Sequence, residues 1–429
     1  MISADQWRAY NEAVAGVTER ARADVESRVL SWLGEHPDAD AAEARAASIR
    51  IMRDRVGDWG RAASSLAAAW YDAQGREAGA RLDRAVTEVT YTDADIERVA
   101  RYQVEKYVAG NRAAFARSCG DYALDVAKRQ VNATVLKNAR RDRSKGVRFA
   151  RVTSGRNTCA FCLMLAGRGA VYWSRKTAGE FNHWHTHCSC KVAPGYSGNP
   201  YEVLVEGHSP DDACAAWRYY ERLKDQGLPR AQRDALLFAH LDAHGVGGPA
   251  SFEEENAYAD ALDVGISSAL KAFRKKKTVQ SYDDSVGRFL SLLGREYGIE
   301  LSGERFVNRK GRIVGADPNG EELWIAVKSK TEGSFLFATT EHKCPDMRTA
   351  DGELVEFKTP KSTRKFNDLL VDASSKYDCY PGKRKNAILS LLRLPSSEGL
   401  AVSAAERFEK DGSLDSVAVL NGVGVLIKK

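Results

Sequence analysis

The run CPDMRTADGELVEFK, residues 344–358, sets an aspartate directly after a proline and later a glutamate and a lysine one residue apart. Asp346, Glu356 and Lys358 are the residue types of a divalent-metal centre that hydrolyses phosphodiesters. Two carboxylates held close together repel, and one pKa rises unless a divalent cation between them reverses the sign. A hard ion, Mg2+ or Mn2+, suits oxygen ligands best, and Zn2+ is also compatible. Such an ion activates water and polarises phosphate, while Lys358 can orient that water or offset charge on the pentavalent phosphorus. Asp351-Gly352 is a tight hairpin signal, so Asp351 and Glu353 belong to the turn rather than to the metal. Glu341 and His342 stand just before the motif, either as supporting groups or, for His342, as an exposed strand histidine.

A second constellation lies upstream. Cys159 and Cys162 form C-x2-C, and Cys188 and Cys190 form C-x-C beside His183, His185 and His187. Two thiolates from one turn and two ligands from another can close a tetrahedron around structural Zn2+, fixing a segment with little core of its own. Cys159, Cys162, Cys188 and Cys190 are the expected ligands, with His187 as the substitute. Four protein ligands leave no position for a reacting water, so the site would be structural. The competing readings are reduced cysteines without metal, or an oxidised pair in an extracellular particle. Cys119, Cys214, Cys344 and Cys379 are scattered and read as thiols.

These groups need scaffolds. A chain of 429 residues has room for two to four domains with their own cores. A charged fraction of 28%, an apolar fraction of 43% and the absence of a long apolar run are those of ordinary globular protein, so no membrane partner is expected. The start, MISADQWRAY, lacks the pattern of a secretory signal, which points to folding in a cytoplasm. The net charge of +6 is a mild bias toward polyanions such as nucleic acid.

Residues 1–150 read as long helices. Ser3 with Gln6 and Thr92 with Asp95 have the form of helix starts, and Trp7, Tyr10, Val14 and Val17, then Leu124, Ala127, Val131 and Val135, recur at helical steps. Residues 151–200 hold the Cys/His knuckle, and 201–277 read as a polar, weakly helical linker broken near Gly245–Pro249. From 278 to 429 helix and strand alternate. Val286, Phe289, Leu290 and Leu293 mark a helix, while ELWIAVK, SFLFATT, ELVEFK, AILSLLRL and SVAVLNGVGVLI read as strands, with a helix through Phe366, Leu369, Leu370 and Ala373. The expected class is multidomain: an α-helical N-terminal half with a small zinc-knuckle segment, then an α/β domain with a mixed sheet. In ELVEFK, Glu356 and Lys358 share one face and Val355 and Phe357 the other, and Lys358 is expected to face the site from an exposed position.

Two resemblances follow from these strings. C-x2-C-L-x-L-A-G followed by His185, Thr186, His187, Cys188, Ser189 and Cys190, behind an Arg/Ala-rich helical half, resembles the phage Mu F-like minor head proteins, also called head morphogenesis proteins. That likeness implies a minor capsid component near the portal, with portal and capsid proteins as partners and the virion as location. The longer string EHKCPDMRTADGELVEFKTP resembles the PD-(D/E)xK nuclease superfamily and, more narrowly, the tRNA nuclease domain at the C-terminus of the contact-dependent growth-inhibition toxin CdiA. It implies a restriction-endonuclease-like fold, metal-dependent cleavage of RNA, most of all tRNA, by Asp346, Glu356 and Lys358 in a host cytoplasm, and a cognate immunity protein. The alternatives are a purely structural head protein with an inactive nuclease-like tail, or a DNA endonuclease.

Overall fold

The computed structural model describes residues 1–153, 158–171, 190–200, 202–246, 252–304, 306–307, 313–314, 318–336 and 344–427. Contacts divide the chain into two units, Met1–Ser154 with Phe161–Cys214, and Gly155–Ala160 with Ala215–Lys429.

The first unit is built on α1 (Ala4–Glu35), α2 (Ala41–Glu77), α3 (Asp93–Val108) and α4 (Arg112–Arg141). Capping boxes open three of them at Ser3–Gln6, Asp40–Glu43 and Thr92–Asp95, where each side chain satisfies the other residue's backbone amide. Trp7, Tyr10, Val14, Ala21, Val25 and Val29 form the buried stripe of α1, which packs on α4 and α2. The approach to α4 is close because Gly120 has no side chain: a Cβ there would lie 2.6 Å from the Arg22 carbonyl oxygen. Strands β1 (Arg148–Val152) and β2 (Lys191–Gly195) pair antiparallel around the short helix α5 (Ala160–Ala166). The Val192 amide donates to Asn132 Oδ1 on α4 at 3.0 Å, tying β2 to the helices. The helical N-terminal half is as the sequence predicts.

The second unit begins within α6 (Pro210–Asp225) and continues with α7 (Arg230–Ala243), α8 (Phe252–Arg274), the single turn α9 (Val279–Tyr282) and α10 (Arg288–Tyr297). Then come β3 (Leu301–Gly303), β4 (Phe306–Val307), β5 (Ile313–Val314), α11 (Gly320–Ser329), β6 (Gly333–Phe335), β7 (Met347–Thr349), β8 (Leu354–Lys358) and α12 (Phe366–Ser375). The chain closes with β9 (Lys385–Ser390), α13 (Glu398–Asp411), β10 (Ser416–Leu420) and β11 (Leu426–Ile427). Seven strands form one mixed sheet in the order β11-β10-β9-β8-β7-β6-β3. β7 is antiparallel to both its neighbours, whereas β9 runs parallel to β8 and β10, as crossovers through α12 and α13 require. Phe366, Leu370 and Phe408 cover one face over Ala387, Leu389, Val417 and Val419. Tyr258, Leu262, Ile266, Leu323 and Trp324 cover the other over Val355, Phe357 and Ile388.

Two expectations are corrected. ELWIAVK is not a strand but most of α11. Asn319 and Glu322 form a capping box ahead of it, and Leu323, Trp324, Ile325, Ala326 and Val327 are all buried, so the run is a helix enclosed on every side. Nor is 201–277 a linker: α7 and α8 share a core with the sheet, and a buried ionic network joins them to α10 and α11. Lys328 Nζ donates to Asp242 Oδ2 at 2.7 Å and to Glu255 Oε1 at 2.9 Å, with side chains only 10%, 6% and 2% exposed respectively. Trp324 Nε1 donates to Glu255 Oε2 at 2.8 Å, and Tyr297 OH donates to Asp242 Oδ2 at 2.6 Å. The residue names of 201–277 look polar because many of these charges are used internally. Of the break expected near Gly245–Pro249, Gly245 follows the end of α7 with φ 65°, and Gly247, Gly248 and Pro249 lie outside the described residues. No described helix is long and apolar enough to cross a membrane.

Candidate active site

β8 lies between β7 and β9 with both faces covered, so its polar residues are enclosed. Glu356 is fully buried, and Lys358, expected in an exposed position, is in fact only 13% exposed at its side chain. The covering of that face by α12 is the reason. Lys358 Nζ lies 2.6 Å from Glu356 Oε1 and donates to Asp372 Oδ2 on α12 at 2.8 Å. Lys376, just past α12, brings a second ammonium to 3.5 Å from the same Glu356 oxygen.

Asp346 reaches the same place from the residue before β7. The turn at Asp351-Gly352, with Gly352 at φ 84°, pairs Met347 with Val355 and Arg348 with Leu354. In the next position the Asp346 side chain replaces the ladder: its Oδ2 accepts from the Phe357 amide at 2.8 Å. Glu322, in the first turn of α11, is near enough for its charge to act on Asp346, and its Oε1 accepts from Asn319 Nδ2 at 2.7 Å.

The electrostatics of the cluster are adverse to charge. Burial, then the Glu356 and Glu322 charges, raise Asp346 well above the usual carboxylate range, against the opposing Phe357 amide and Lys358. Burial followed by the Glu356 charge pushes Glu322 up to about 7, although the Asn319 backbone bond acts against it. Burial alone would lower Lys358, but the Glu356 and Asp372 carboxylates outweigh it and hold the ammonium above the ordinary lysine value. Most informative is Glu356: neither carboxylate oxygen accepts a hydrogen bond of acceptable geometry, the Lys358 ammonium being near but poorly directed. Asp346 and Glu356, with the charge of Glu322 acting on the former, are oxygen donors of the kind that suits a hard divalent ion.

Of the residues singled out from sequence, Asp346, Glu356 and Lys358 are brought together. Asp351 accepts from the Thr349 hydroxyl within the turn, and Glu353 Oε2 accepts from Asn386 Nδ2 at 2.8 Å. Glu341 and His342 lie outside the described residues. Glu322, Asp372 and Lys376 were not anticipated. The signal for Glu322 was its capping box with Asn319, hidden by reading the following residues as a strand.

In the first unit, Cys162 on α5 and Cys190 at the start of β2 are buried with their sulfurs 3.2 Å apart and not disulfide-bonded. A buried Arg151 guanidinium donates to Cys190 Sγ at 2.7 Å. Cys159 is half-buried. Cys188, His183, His185 and His187 lie outside the described residues.

A model of the VG15 protein family, a viral and phage family, matches residues 1–220, just over half the chain. The chain belongs to the VG15 family. No curated protein and no solved structure matches it. The VG15 region holds the helices of the first unit and Cys159, Cys162 and Cys190, and it ends before the strands that carry the carboxylates. Asp346, Glu356 and Lys358 lie outside the matched residues.

Proposed function

We propose that the second unit is a metal-dependent nuclease of the PD-(D/E)xK type, acting on RNA with tRNA as its substrate class, carried on a phage minor head protein of the Mu F-like kind. The observation that supports this reading is the placing of Asp346 on the Phe357 amide next to buried Glu356, whose oxygens lack a well-directed hydrogen bond, beside Lys358. The succession α11-β6-β7-β8-α12-β9, with β8 and β9 parallel, supports it as the expected frame for such a motif.

Asp346, Glu356 and Glu322 would hold the divalent ion, Mg2+, Mn2+ or Zn2+, which when bound supplies Lewis-acid polarisation of the phosphodiester and of the attacking water. Lys358 stays protonated at neutral pH, so it serves as a cation rather than as a proton acceptor. It orients water and offsets charge that grows on phosphorus, and Asp372 sets its position. Lys376 balances the remaining charge of Glu356 in the resting state. Burial of the cluster keeps bulk water away from these groups and strengthens each interaction.

The full chain should cleave tRNA in the presence of divalent ion, and Lys358→Ala should reduce the rate by about 10²–10³. Equal or faster cleavage of duplex DNA would make it a DNA endonuclease. A wild-type chain inert on both would reduce the tail to a structural role. Expression without a protective immunity protein should stop host growth, and Lys358→Ala should relieve that.

The first unit is proposed to dock on portal or capsid proteins, so all catalytic variants should still enter particles. Cys159, Cys162, Cys188 and Cys190, with His187 as substitute, would hold structural Zn2+. Cys190→Ser should release one equivalent of zinc and lower the melting temperature of the first unit while leaving cleavage intact. Elemental analysis of reduced protein checks this, and an unchanged zinc content in the variant would refute the site.

A further inference from the structure

The C-terminal end of α7 and the last turn of α10 bring together three groups that the proposed nuclease chemistry does not use. His240 and His244 are one helical turn apart, so their rings leave α7 on the same side, with centroids 4.3 Å apart at 62°. Glu296 on α10 meets both. Its Oε2 lies 2.8 Å from His240 Nδ1 and 3.6 Å from His244 Nε2, and one ligand atom from each residue lies within 4.8 Å of the others.

The surroundings orient these groups. Tyr219 on α6 stacks on the His240 ring at 4.3 Å and 11°. His240 and Glu296 side chains are 16% and 10% exposed, whereas His244 is 55% exposed. One side of the cluster is therefore enclosed and oriented, and the other is open to solvent.

A hydrogen-bonded His240–Glu296 pair accounts for two of these groups but not for a second imidazole held over the same carboxylate oxygen. Two helical histidines four residues apart and one carboxylate from a neighbouring helix are a ligand set for zinc-class ions. Ligand atoms about 2.0–2.1 Å from a common tetrahedral ion are roughly 3.3 Å apart. The His244–Glu296 separation of 3.6 Å is near that, and the His240–Glu296 contact needs to open only slightly when its shared proton is replaced. Tyr219, stacked on His240, then has the part of an outer group that fixes that ring's orientation.

We propose that His240, His244 and Glu296 bind one divalent transition ion of the zinc class, with a solvent position on the His244 side. The ion joins α7 to α10 and so braces the helical layer that covers the sheet. This site stands independently of the nuclease reading, since it shares no residue with the carboxylate cluster.

The test uses the full chain with Zn2+ and Co2+. After dialysis the wild type should retain one more equivalent of zinc than His244→Ala, a half-exposed position whose replacement leaves the fold intact by circular dichroism. Loss of an outer group alone costs 10–100-fold in affinity, so loss of this ligand should weaken zinc binding by at least about 100-fold. Co2+ separates the site from the cysteine cluster: it should give tetrahedral visible bands without sulfur charge transfer, and His244→Ala should remove those bands alone. Glu296→Gln should do the same. Unchanged zinc equivalents and cobalt bands in folded His244→Ala would overturn the proposal and leave the cluster as a hydrogen-bonded pair.

Discussion

Glu356→Gln is expected to abolish cleavage and at the same time make the metal-free protein harder to unfold. The side chain is 1% exposed, and both its oxygens lack a well-directed donor. Lys358 and Lys376 offset part of its charge, but a buried carboxylate with no well-directed hydrogen bond still costs free energy, and its presence also raises Asp346 and Glu322. Glutamine keeps the shape and removes the charge. Lys358 is not orphaned by the change, because Asp372 remains at 2.8 Å. Relief of about 1–2 kcal/mol in a unit of this size should raise the melting temperature by a few degrees. Cleavage should fall by at least about 10²–10³, since the ion loses a ligand and the water its activation. Thermal unfolding in chelator and single-turnover cleavage together check the result. A variant that loses stability as well as activity would show that Glu356 is an ordinary structural ion-pair partner.

Chelation should produce an equally complete loss of cleavage, with Mg2+, Mn2+ or Zn2+ restoring it, and the restoration should depend on pH in a defined direction. Glu322 titrates at about 7 in the folded chain, and Asp346 is raised as well, both chiefly through burial. Unfolded carboxyls ionise near pH 4 to 4.5. Between that range and about pH 7 the folded chain holds protons that the unfolded chain has released. Metal-free stability from these groups is therefore fully present below the unfolded pKa and is lost as pH rises toward 7. The ion must displace the same protons, so its apparent affinity should increase over that window, approaching roughly tenfold per pH unit for each proton released. Mn2+ titrations by calorimetry at pH 6 and pH 8 measure this. Affinity that is flat or falls with pH would mean that Glu322 and Asp346 do not share the ion.

What could be read from the sequence was local. Ser3, Thr92 and the Asp351-Gly352 turn act over three or four residues, and each occurs where expected. The hairpin then fixes register, so the meeting of Asp346 with β8 and the shared face of Glu356 and Lys358 followed from alternation alone. α11 was misread because a helix buried on all sides shows no polar stripe, and its apolar run is as short as a strand's. Asp372 and Lys376 enter through the packing of a crossover helix, and Glu296 meets His240 from 56 residues away. No spacing rule reports such contacts. The linker over 201–277 failed for a related reason: charge signals solvent only when its partner is nearby in sequence, and Lys328 is 86 residues from Asp242.

That last contact determines where the chain can be cut and joined. A fragment starting at residue 278 carries Lys328 and Trp324 but leaves behind Asp242, Glu255 and Tyr258. It would bring into its interior an ammonium and an indole N–H stripped of their acceptors, beneath a sheet face uncovered along α8. The portable unit is therefore longer than residues 278–429 and starts near Ala215. A graft of this unit onto another chain should therefore fold when joined near Ala215 and fail when joined at residue 278, with soluble yield and thermal unfolding of the two fusions as the measurement.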